Sequence, residues 1–194
     1  MTQINPIELF LKWYNRELSL TNVRLPGACC LSTIGIDGVP NARFVSLKDV
    51  IDGKFAITGS INSRKGLEIE ANPNVALTFW WTETERQVHI QGNASVMENS
   101  LADKYFAERN RESQIVSIVS KQGQELQNVD ELTQKYIELD TQSSGKDLKR
   151  PDYWRGYLIE PFRIEFLDFK STRFHERVLY EMEHGEWNHQ QLQP

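Results

Sequence analysis

The residues with the most evident chemistry are the consecutive Ser63, Arg64 and Lys65, which follow a predicted strand over 54–60 and open a short helical stretch that Pro73 ends. The first turn of a helix presents unpaired backbone N–H groups and the positive end of the helix dipole. Two cations are unfavourable there unless an anion binds, so the tripeptide favours a phosphate ligand over a solvated turn. It is not a P-loop, because the G-x-x-x-x-G-K-[ST] pattern is absent.

Two further segments carry side chains that can bind an anion. Arg43 and Lys48 lie at the two ends of the otherwise apolar stretch "ARFVSLK". Tyr105, Arg109 and Ser113 are spaced four residues apart, so they share one face if a single helix continues that far. A phenol, a guanidinium and a hydroxyl can each donate a hydrogen bond to a phosphate. In each segment taken alone, solvated side chains are the alternative.

A polar face also recurs on two predicted strands. In "STRFHERVLY", Arg173, His175 and Arg177 alternate with other residues, so a strand would place them on one face, where cations repel unless water or an anion covers them. In "RQVHIQG", Gln87 and His89 face away from the apolar positions, and a glutamine there suits a planar hydrogen-bonding ligand. Taken together, the cationic segments predict two phosphorylated ligands or one large one.

The elements that must position these residues are mainly antiparallel strands. Turn residues such as Asp37-Gly38 separate short runs of β-forming residues. The expected fold class is α+β, mostly β: a single barrel-like antiparallel domain over residues 1–194 with peripheral helices. Helical patterns cover 5–18, 100–110 and 129–140, and strand patterns cover 28–35, 42–50, 54–60, 74–81, 86–98, 153–169, 173–183 and 186–194.

Composition excludes several classes of protein. The 194 residues carry a net charge of −5, which does not suggest a broad nucleic-acid-binding surface. No basic leader precedes an apolar run, and the longest apolar run is too short to span a bilayer, so we expect a cytoplasmic protein with no membrane partner. Cys29 and Cys30 are adjacent, which is poor geometry for a mutual disulfide, and no metal-ligand spacing occurs.

Several motifs resemble, in order and spacing, those of the pyridoxine/pyridoxamine 5′-phosphate oxidase family. They are "ARFVSLK", "SRKGLEIEANP", "ERQVHIQGNA", "KYFAERNRESQI", "VSKQGQEL", "YWRGYLIEPFRIEF", "RFHERVLY" and the terminal "LQP", and the match covers nearly the whole chain from Pro6 onward. The resemblance implies an FMN-binding split β-barrel with Greek-key topology. It also implies a homodimer with one FMN at each of two subunit interfaces.

The resemblance further implies roles for individual residues. The FMN-binding residues would be Arg43, Phe44, Val45, Ser46, Leu47, Lys48, Thr58, Gly59, Arg64, Lys65, Gln87, Gln122, Gly123, Leu167 and Arg177. The substrate, a phosphorylated B6 vitamer, would be bound by Lys48, Tyr105, Arg109, Ser113, Arg173 and His175, the last two being catalytic. The implied reaction oxidises pyridoxine or pyridoxamine 5′-phosphate to pyridoxal 5′-phosphate with O2, yielding H2O2.

The sequence departs from the family pattern at several positions. Leu167 stands where a tryptophan is usual beside the flavin, Thr58-Gly59 replaces an aromatic-Thr pair, and Gly123 replaces a serine. The chain begins at the first helix, so we expect no counterpart of the family's N-terminal arm over the substrate. Two alternatives therefore stay open: an FMN oxidase of another ring, as in phenazine biosynthesis, and a flavin-binding protein without turnover.

Overall fold

The structure is a computed structural model that describes residues 5–194. The expectation that no targeting segment opens the chain rests in part on residues 1–4, which lie outside the described residues. The described part contains five helices: α1 Pro6–Leu18, α2 Arg64–Ala71, α3 Asn99–Ala107, α4 Arg111–Val119 and α5 Val129–Gln142. It contains eight strands: β1 Ala28–Ile34, β2 Pro40–Ile51, β3 Lys54–Ser60, β4 Asn74–Trp81, β5 Arg86–Val96, β6 Trp154–Asp168, β7 Glu176–Glu183 and β8 Glu186–Leu192.

Six of the strands close into an antiparallel barrel. Their order is β3-β2-β1-β4-β5-β6, and β3 pairs back onto β6 to complete the circle. The order of the first four strands is that of a Greek key, in which β4 returns beside β1 after the connection that contains α2. The expected mostly β, antiparallel split-barrel class with peripheral helices is therefore confirmed.

The length of β6 decides where the rest of the sheet lies. Its first part pairs with β3, from Trp154 to Ile159, and its last part pairs with β7, from Arg163 to Asp168. β7 and β8 thus continue the sheet outward beyond the closed barrel. The whole of β5 pairs with β6, and the pairing contains a bulge at Gly92. A Cβ at Gly92 would come within 2.5 Å of the Glu160 carbonyl oxygen.

The barrel interior is filled by alternating apolar residues and closed at one end by α1. Asn5 caps that helix by accepting a hydrogen bond from the Ile7 backbone N–H at 2.8 Å. Phe10 of α1 is fully buried and makes edge-on contacts with Phe55 and Phe79. Burying one such side chain stabilises the fold by roughly 2–3 kcal/mol, so the helix is held by its apolar face.

Two predicted elements differ from the structure. The strand expected from Arg173 begins at Glu176, because Arg173 adopts a left-handed conformation with φ 68° that no strand continues. The helix expected over 100–110 ends at Ala107, and Asn110 caps the separate helix α4 by accepting from the Ser113 backbone N–H. Within the described residues, no helix is long and apolar enough to cross a membrane.

Candidate active site

A cavity of about 390 Å³ lies between the outer surface of β2 and β3, the start of α2 and the residues around α4. Its volume is within the range of small-molecule sites. Ten of the predicted site residues line it: Arg43, Phe44, Val45, Ser46, Lys48, Thr58, Gly59, Lys65, Arg109 and Gln122. Six other lining residues were not predicted: Ser60, Val116, Ser117, Ser120, Tyr153 and Trp154.

Lys65 forms one cationic end of the cavity. The side chain is 7% exposed, and Nζ donates to Ser63 Oγ at 3.1 Å and to Gln122 Oε1 at 3.3 Å. The Ser63 hydroxyl therefore holds Lys65 and makes no cap hydrogen bond to α2, although Ser63 occupies the N-cap position. Burial, and then the charge of Arg43, lowers the pKa of Lys65, so a bound anion would stabilise its charged form.

Gly59 allows Lys65 to reach the cavity. A Cβ on Gly59 would lie 2.9 Å from Lys65 Cε and 3.0 Å from Nζ, closer than side-chain atoms tolerate. Glycine thus leaves the path of the lysine open along β3.

Lys48 and Arg109 form a second cationic end. Arg109 lies between α3 and α4, with its guanidinium 5.1 Å above the Trp154 ring and Nη2 near the Ser117 hydroxyl at 3.4 Å. Its Nε is buried with no hydrogen-bond partner among the described residues. Burial lowers the pKa of both cations, and the charge of Arg109 lowers the pKa of Lys48 further, against a smaller opposing effect of Glu108.

Tyr105 and Ser113 do not line this cavity, contrary to the clamp that one continuous helix would form. Tyr105 is buried beside Asp49, and burial, followed by the charges of Asp49 and Glu108, raises its pKa to about 12. Ser113 is contacted through its carbonyl oxygen, which accepts from Arg109 Nη2 at 3.3 Å. Ser117, one helical turn after Ser113, lines the cavity, and its hydroxyl contacts Arg109. Its i+4 spacing from Ser113 places both on one helical face, and this spacing could have identified it from the sequence.

Three other predicted residues lie next to the cavity rather than on its wall. Leu47 points into the barrel core at 7% exposure, between the cavity-lining residues Ser46 and Lys48. Arg64 is turned toward Glu68, to which Nε donates at 2.8 Å, and toward Asp37. Gly123 occupies a left-handed turn with φ 84° immediately after Gln122, a conformation that glycine adopts without strain.

The remaining predicted residues form a separate group on the outward face of the sheet. Gln87, Leu167 and Arg177 are direct cross-strand neighbours on β5, β6 and β7, and we call them the strand row. Arg177 is fixed by Glu165, whose Oε1 accepts from Nε at 2.9 Å and from Nη2 at 2.6 Å. None of the three lines the cavity described above.

Arg173 and His175 lie in the turn that precedes β7. The Arg173 backbone N–H donates to the Lys170 carbonyl at 3.0 Å, and its side chain is exposed. His175 Nδ1 accepts from the Lys170 backbone N–H at 3.1 Å, and its ring packs against Phe169. In the neutral imidazole this contact places the proton on Nε2, which remains a donor for a ligand.

The cavity therefore has an unusual charge distribution for this protein. Its lining residues include four cations, Arg43, Lys48, Lys65 and Arg109, and no carboxylate, although the chain has a net charge of −5. Such a site attracts anions, and its two cationic ends can bind two separate negative groups. Among the described residues, no group of three or more His, Cys, Asp or Glu side chains could hold a metal ion.

Comparison with known proteins agrees with this geometry. The family described as Pyridoxamine 5′-phosphate oxidase matches residues 19–143, and the Pyridoxine 5′-phosphate oxidase C-terminal dimerisation region matches residues 154–194. The pyridoxine/pyridoxamine 5′-phosphate oxidase of Rubrobacter xylanophilus is 38% identical, covering 98% of this chain and 87% of the relative. The protein of that name from Leptospira interrogans is 37% identical, covering 91% of this chain and 82% of the relative.

Solved structures give the same fold. PhzG from Burkholderia lata, solved in complex with tetrahydrophenazine-1-carboxylic acid, superposes with a TM-score of 0.93 at 31% identity, covering 100% of this chain and 94% of that one. An FMN binding protein from Nostoc punctiforme has a TM-score of 0.80 at 14% identity, covering 99% of each chain, and supports the fold alone. By its sequence, the chain belongs to the pyridoxine/pyridoxamine 5′-phosphate oxidase family.

Proposed function

We propose that this chain is an FMN-dependent oxidase that converts pyridoxine 5′-phosphate or pyridoxamine 5′-phosphate to pyridoxal 5′-phosphate, with O2 as acceptor and H2O2 as a product. The observation that carries the proposal is the cavity with four cations and no carboxylate in an acidic protein. Two cationic ends match two phosphate groups, one on the cofactor and one on the substrate.

FMN fits the end of the cavity that contains Lys65. Buried Lys65, with Gln122 beside it and Arg43 nearby, would bind the phosphate, and the backbone of 43–48 with Thr58 would run along the rest of the cofactor. Burial and the charge of Arg43 lower the pKa of Lys65, and a bound phosphate would offset both effects. The chemistry that bound FMN supplies is two-electron oxidation of the substrate carbon, with electrons passing to O2.

The substrate phosphate fits the other end. Lys48 and Arg109 are close enough for the charge of the arginine to lower the pKa of the lysine, and Arg109 Nε has no hydrogen-bond partner among the described residues. The Ser117 hydroxyl lies beside the same guanidinium. Binding energy gained at the phosphate would then orient the pyridine ring, so that its exocyclic carbon lies at a defined position.

The strand row and the turn before β7 would complete the site from a second copy of the chain. The segment that carries Leu167, Arg173, His175 and Arg177 falls within the match to a dimerisation region, which points to a homodimer. The row faces outward, where another copy can cover it. In this arrangement Gln87 and Arg177 would contact the cofactor, and His175 Nε2 and Arg173 would donate hydrogen bonds to the reacting substituent of the substrate.

A second candidate is oxidation of a tricyclic carboxylic acid. The 0.93 TM-score to PhzG in complex with tetrahydrophenazine-1-carboxylic acid favours it, as does Leu167, which leaves more room than a tryptophan. A ring carboxylate carries one negative charge, however, whereas the end formed by Lys48 and Arg109 brings two cations together. A phosphate dianion matches that pair better.

The test is an oxidase assay on the FMN-loaded protein with continuous detection of peroxide. Substrates would be pyridoxine 5′-phosphate, pyridoxamine 5′-phosphate, unphosphorylated pyridoxine and tetrahydrophenazine-1-carboxylic acid. We expect turnover of a phosphorylated vitamer, and much slower turnover of pyridoxine. Turnover of the phenazine compound alone would support the second candidate. A protein that binds FMN and oxidises none of the four would be a flavin-binding protein without this activity.

Arg109→Ala separates the two phosphate assignments. Charge-assisted hydrogen bonds contribute about 1.5–3 kcal/mol each, so kcat/KM for the phosphorylated vitamer should fall by about 10–100-fold. The dissociation constant of FMN, followed by quenching of flavin fluorescence, should change little. Arg111→Ala is the matched control, because Arg111 pairs with Asp140 at 2.8 Å and does not line the cavity. Equal losses in both variants would exclude the assignment.

A further inference from the structure

A buried carboxylate in α2 links the cationic residues at the cofactor end of the cavity. Glu68 is 2% exposed, and its two oxygens accept four hydrogen bonds from side chains. The donors are Thr33 Oγ1 and Asn41 Nδ2, each at 2.6 Å, and Arg43 Nη2 and Arg64 Nε, each at 2.8 Å. Arg43 Nη1 also donates to Thr33 Oγ1, so the hydroxyl connects the arginine to the glutamate a second time.

The network is fully satisfied, which explains how a carboxylate remains charged there. Burial alone would raise the pKa of Glu68, but the hydrogen bonds from Thr33, Arg64 and Arg43 hold that pKa below its ordinary value. An ionised carboxylate with several charge-assisted hydrogen bonds has one favoured geometry. The two arginines bound to it are therefore held in one arrangement.

The arrangement matters because Arg43 and Lys65 both line the cavity. Arg43 is close enough to Lys65 for its charge to lower the pKa of the lysine. Without a neighbouring anion, repulsion would favour rotamers that move the arginine away from the lysine. The glutamate supplies that anion from behind the cavity wall, since it lines no part of the cavity itself.

We propose that Glu68 is a positioning residue for the phosphate of the cofactor: it fixes Arg43 beside Lys65 in the arrangement that binds a phosphate. This inference rests on the proposed use of FMN. It predicts that Glu68 increases the affinity for FMN, whereas the negative charge of Glu68 alone would repel the phosphate and decrease that affinity. A carboxylate close to a phosphate repels it, so removing the charge alone would tighten binding, whereas losing the fixed arginines weakens it.

The chain provides a matched control in Glu17. This second buried glutamate is 3% exposed and accepts from the Glu83 and Thr84 backbone N–H groups at 3.1 Å each and from Thr84 Oγ1 at 2.9 Å. It does not line the cavity. Glu17→Gln therefore reports the cost of neutralising a buried, hydrogen-bonded glutamate, independent of the cationic site.

The experiment compares Glu68→Gln with Glu17→Gln, measuring the dissociation constants of FMN and of riboflavin, which lacks the phosphate, and the Tm of the flavin-free proteins. We expect Glu68→Gln to weaken FMN binding about tenfold and leave riboflavin binding unchanged. Glu17→Gln should lower Tm and retain the ratio of the two constants. Thr33→Val, which removes the hydroxyl link and keeps the side-chain shape, should give a smaller loss of the same kind and serves if Glu68→Gln does not fold.

The inference would be overturned if the dissociation constant of FMN were unchanged or lower in Glu68→Gln. If Glu68→Gln does not fold, the same result in Thr33→Val would overturn it. So would an equal loss of FMN and riboflavin affinity, since that pattern indicates general destabilisation. A wild-type protein that binds FMN no better than riboflavin would overturn it as well. These binding measurements do not require turnover, so they are independent of the oxidase assay that tests the proposed function.

Discussion

The cavity wall and the strand row both carry residues suited to a flavin, but they are built differently. The wall is concave, and it collects four cations from separate parts of the chain around a volume of about 390 Å³. The strand row is three residues on neighbouring strands, on the outward face of the sheet. A concave wall can bind an anion by itself, whereas an open sheet face excludes water only when another surface covers it.

The two regions also differ in how their charged side chains are paired. At the wall, partial or full burial lowers the pKa values of Lys48, Lys65 and Arg109. The row keeps Arg177 paired with Glu165. Of the four wall cations, Arg43 is paired with Glu68, whereas no carboxylate pairs with Lys48, Lys65 or Arg109 among the described residues, so these three can accept a bound anion.

The largest effect is expected for Lys65→Ala at the wall. Removing a buried cation that contacts the phosphate should weaken FMN binding by about 100-fold, because a charge-assisted hydrogen bond in a desolvated site contributes about 3 kcal/mol at most. Titration of the flavin-free protein with FMN, followed by fluorescence quenching, measures this. Lys54→Ala is the control, since Lys54 pairs with Glu160 outside the cavity at 2.9 Å. Retention of tight FMN binding by Lys65→Ala would remove the lysine from the phosphate site.

Mixing two variants, at an FMN concentration where each alone is mostly unoccupied, tests whether the two regions form one site across copies. Lys65→Ala carries a defective wall and an intact row, and Arg177→Ala carries the reverse. If each site joins the wall of one copy to the row of another, refolding the two together at equal amounts should restore about a quarter of the sites. Activity that stays at the level of the separate variants would place both regions in one chain's site.

A smaller effect is expected for Arg173→Ala in the turn before β7. Loss of a hydrogen bond made only to the reacting substituent should lower kcat/KM about tenfold, with the FMN dissociation constant unchanged. Arg155→Ala provides a comparison, because Arg155 Nε contacts only the carbonyl oxygen of Asp152 at 3.3 Å. An Arg173→Ala enzyme with full kcat/KM would show that this arginine has no part in the reaction.

The smallest effect is expected for Leu167→Trp within the row. An aromatic ring beside the flavin should tighten FMN binding about threefold, since aromatic pairs contribute about 0.5–1.5 kcal/mol beyond buried area. The same titration measures it, with the cavity-wall residues unchanged. Weaker binding would show that the space beside Leu167 is occupied by another group and cannot accept a larger side chain.

The two regions also differ in how well sequence patterns predicted them. The cationic residues of the wall were recognised individually, from a helix start, strand ends and helical spacing. Tyr105, Arg109 and Ser113 were expected on one continuous helix, but α3 ends at Ala107 and Asn110 caps α4, so Arg109 contacts the Ser117 hydroxyl and the Ser113 carbonyl oxygen. Asn110 caps a new helix and does not continue the preceding one. Helical spacing alone does not show which of these two structures forms.

The face predicted for Arg173, His175 and Arg177 was also changed by a local break in secondary structure. Alternation of residue types predicted one strand, yet Arg173 adopts a positive φ and His175 is held by the Lys170 backbone N–H. Only Arg177 belongs to β7. The sequence does alternate polar residues over this segment. Arg173 and His175, however, lie in a turn, where Phe169 packs against Trp80 and His175.

Sequence alone determined the class of the fold and the types of residue proposed to bind phosphate, because strand patterns, turn residues and a cationic helix start are local properties of the chain. Tertiary structure decided which of these residues meet. Barrel closure through β3 and β6 brings Ser60 beside Trp154, two cavity-lining residues that are far apart in sequence. It also revealed Glu68, since four donors from distant positions converge on it only in the folded protein.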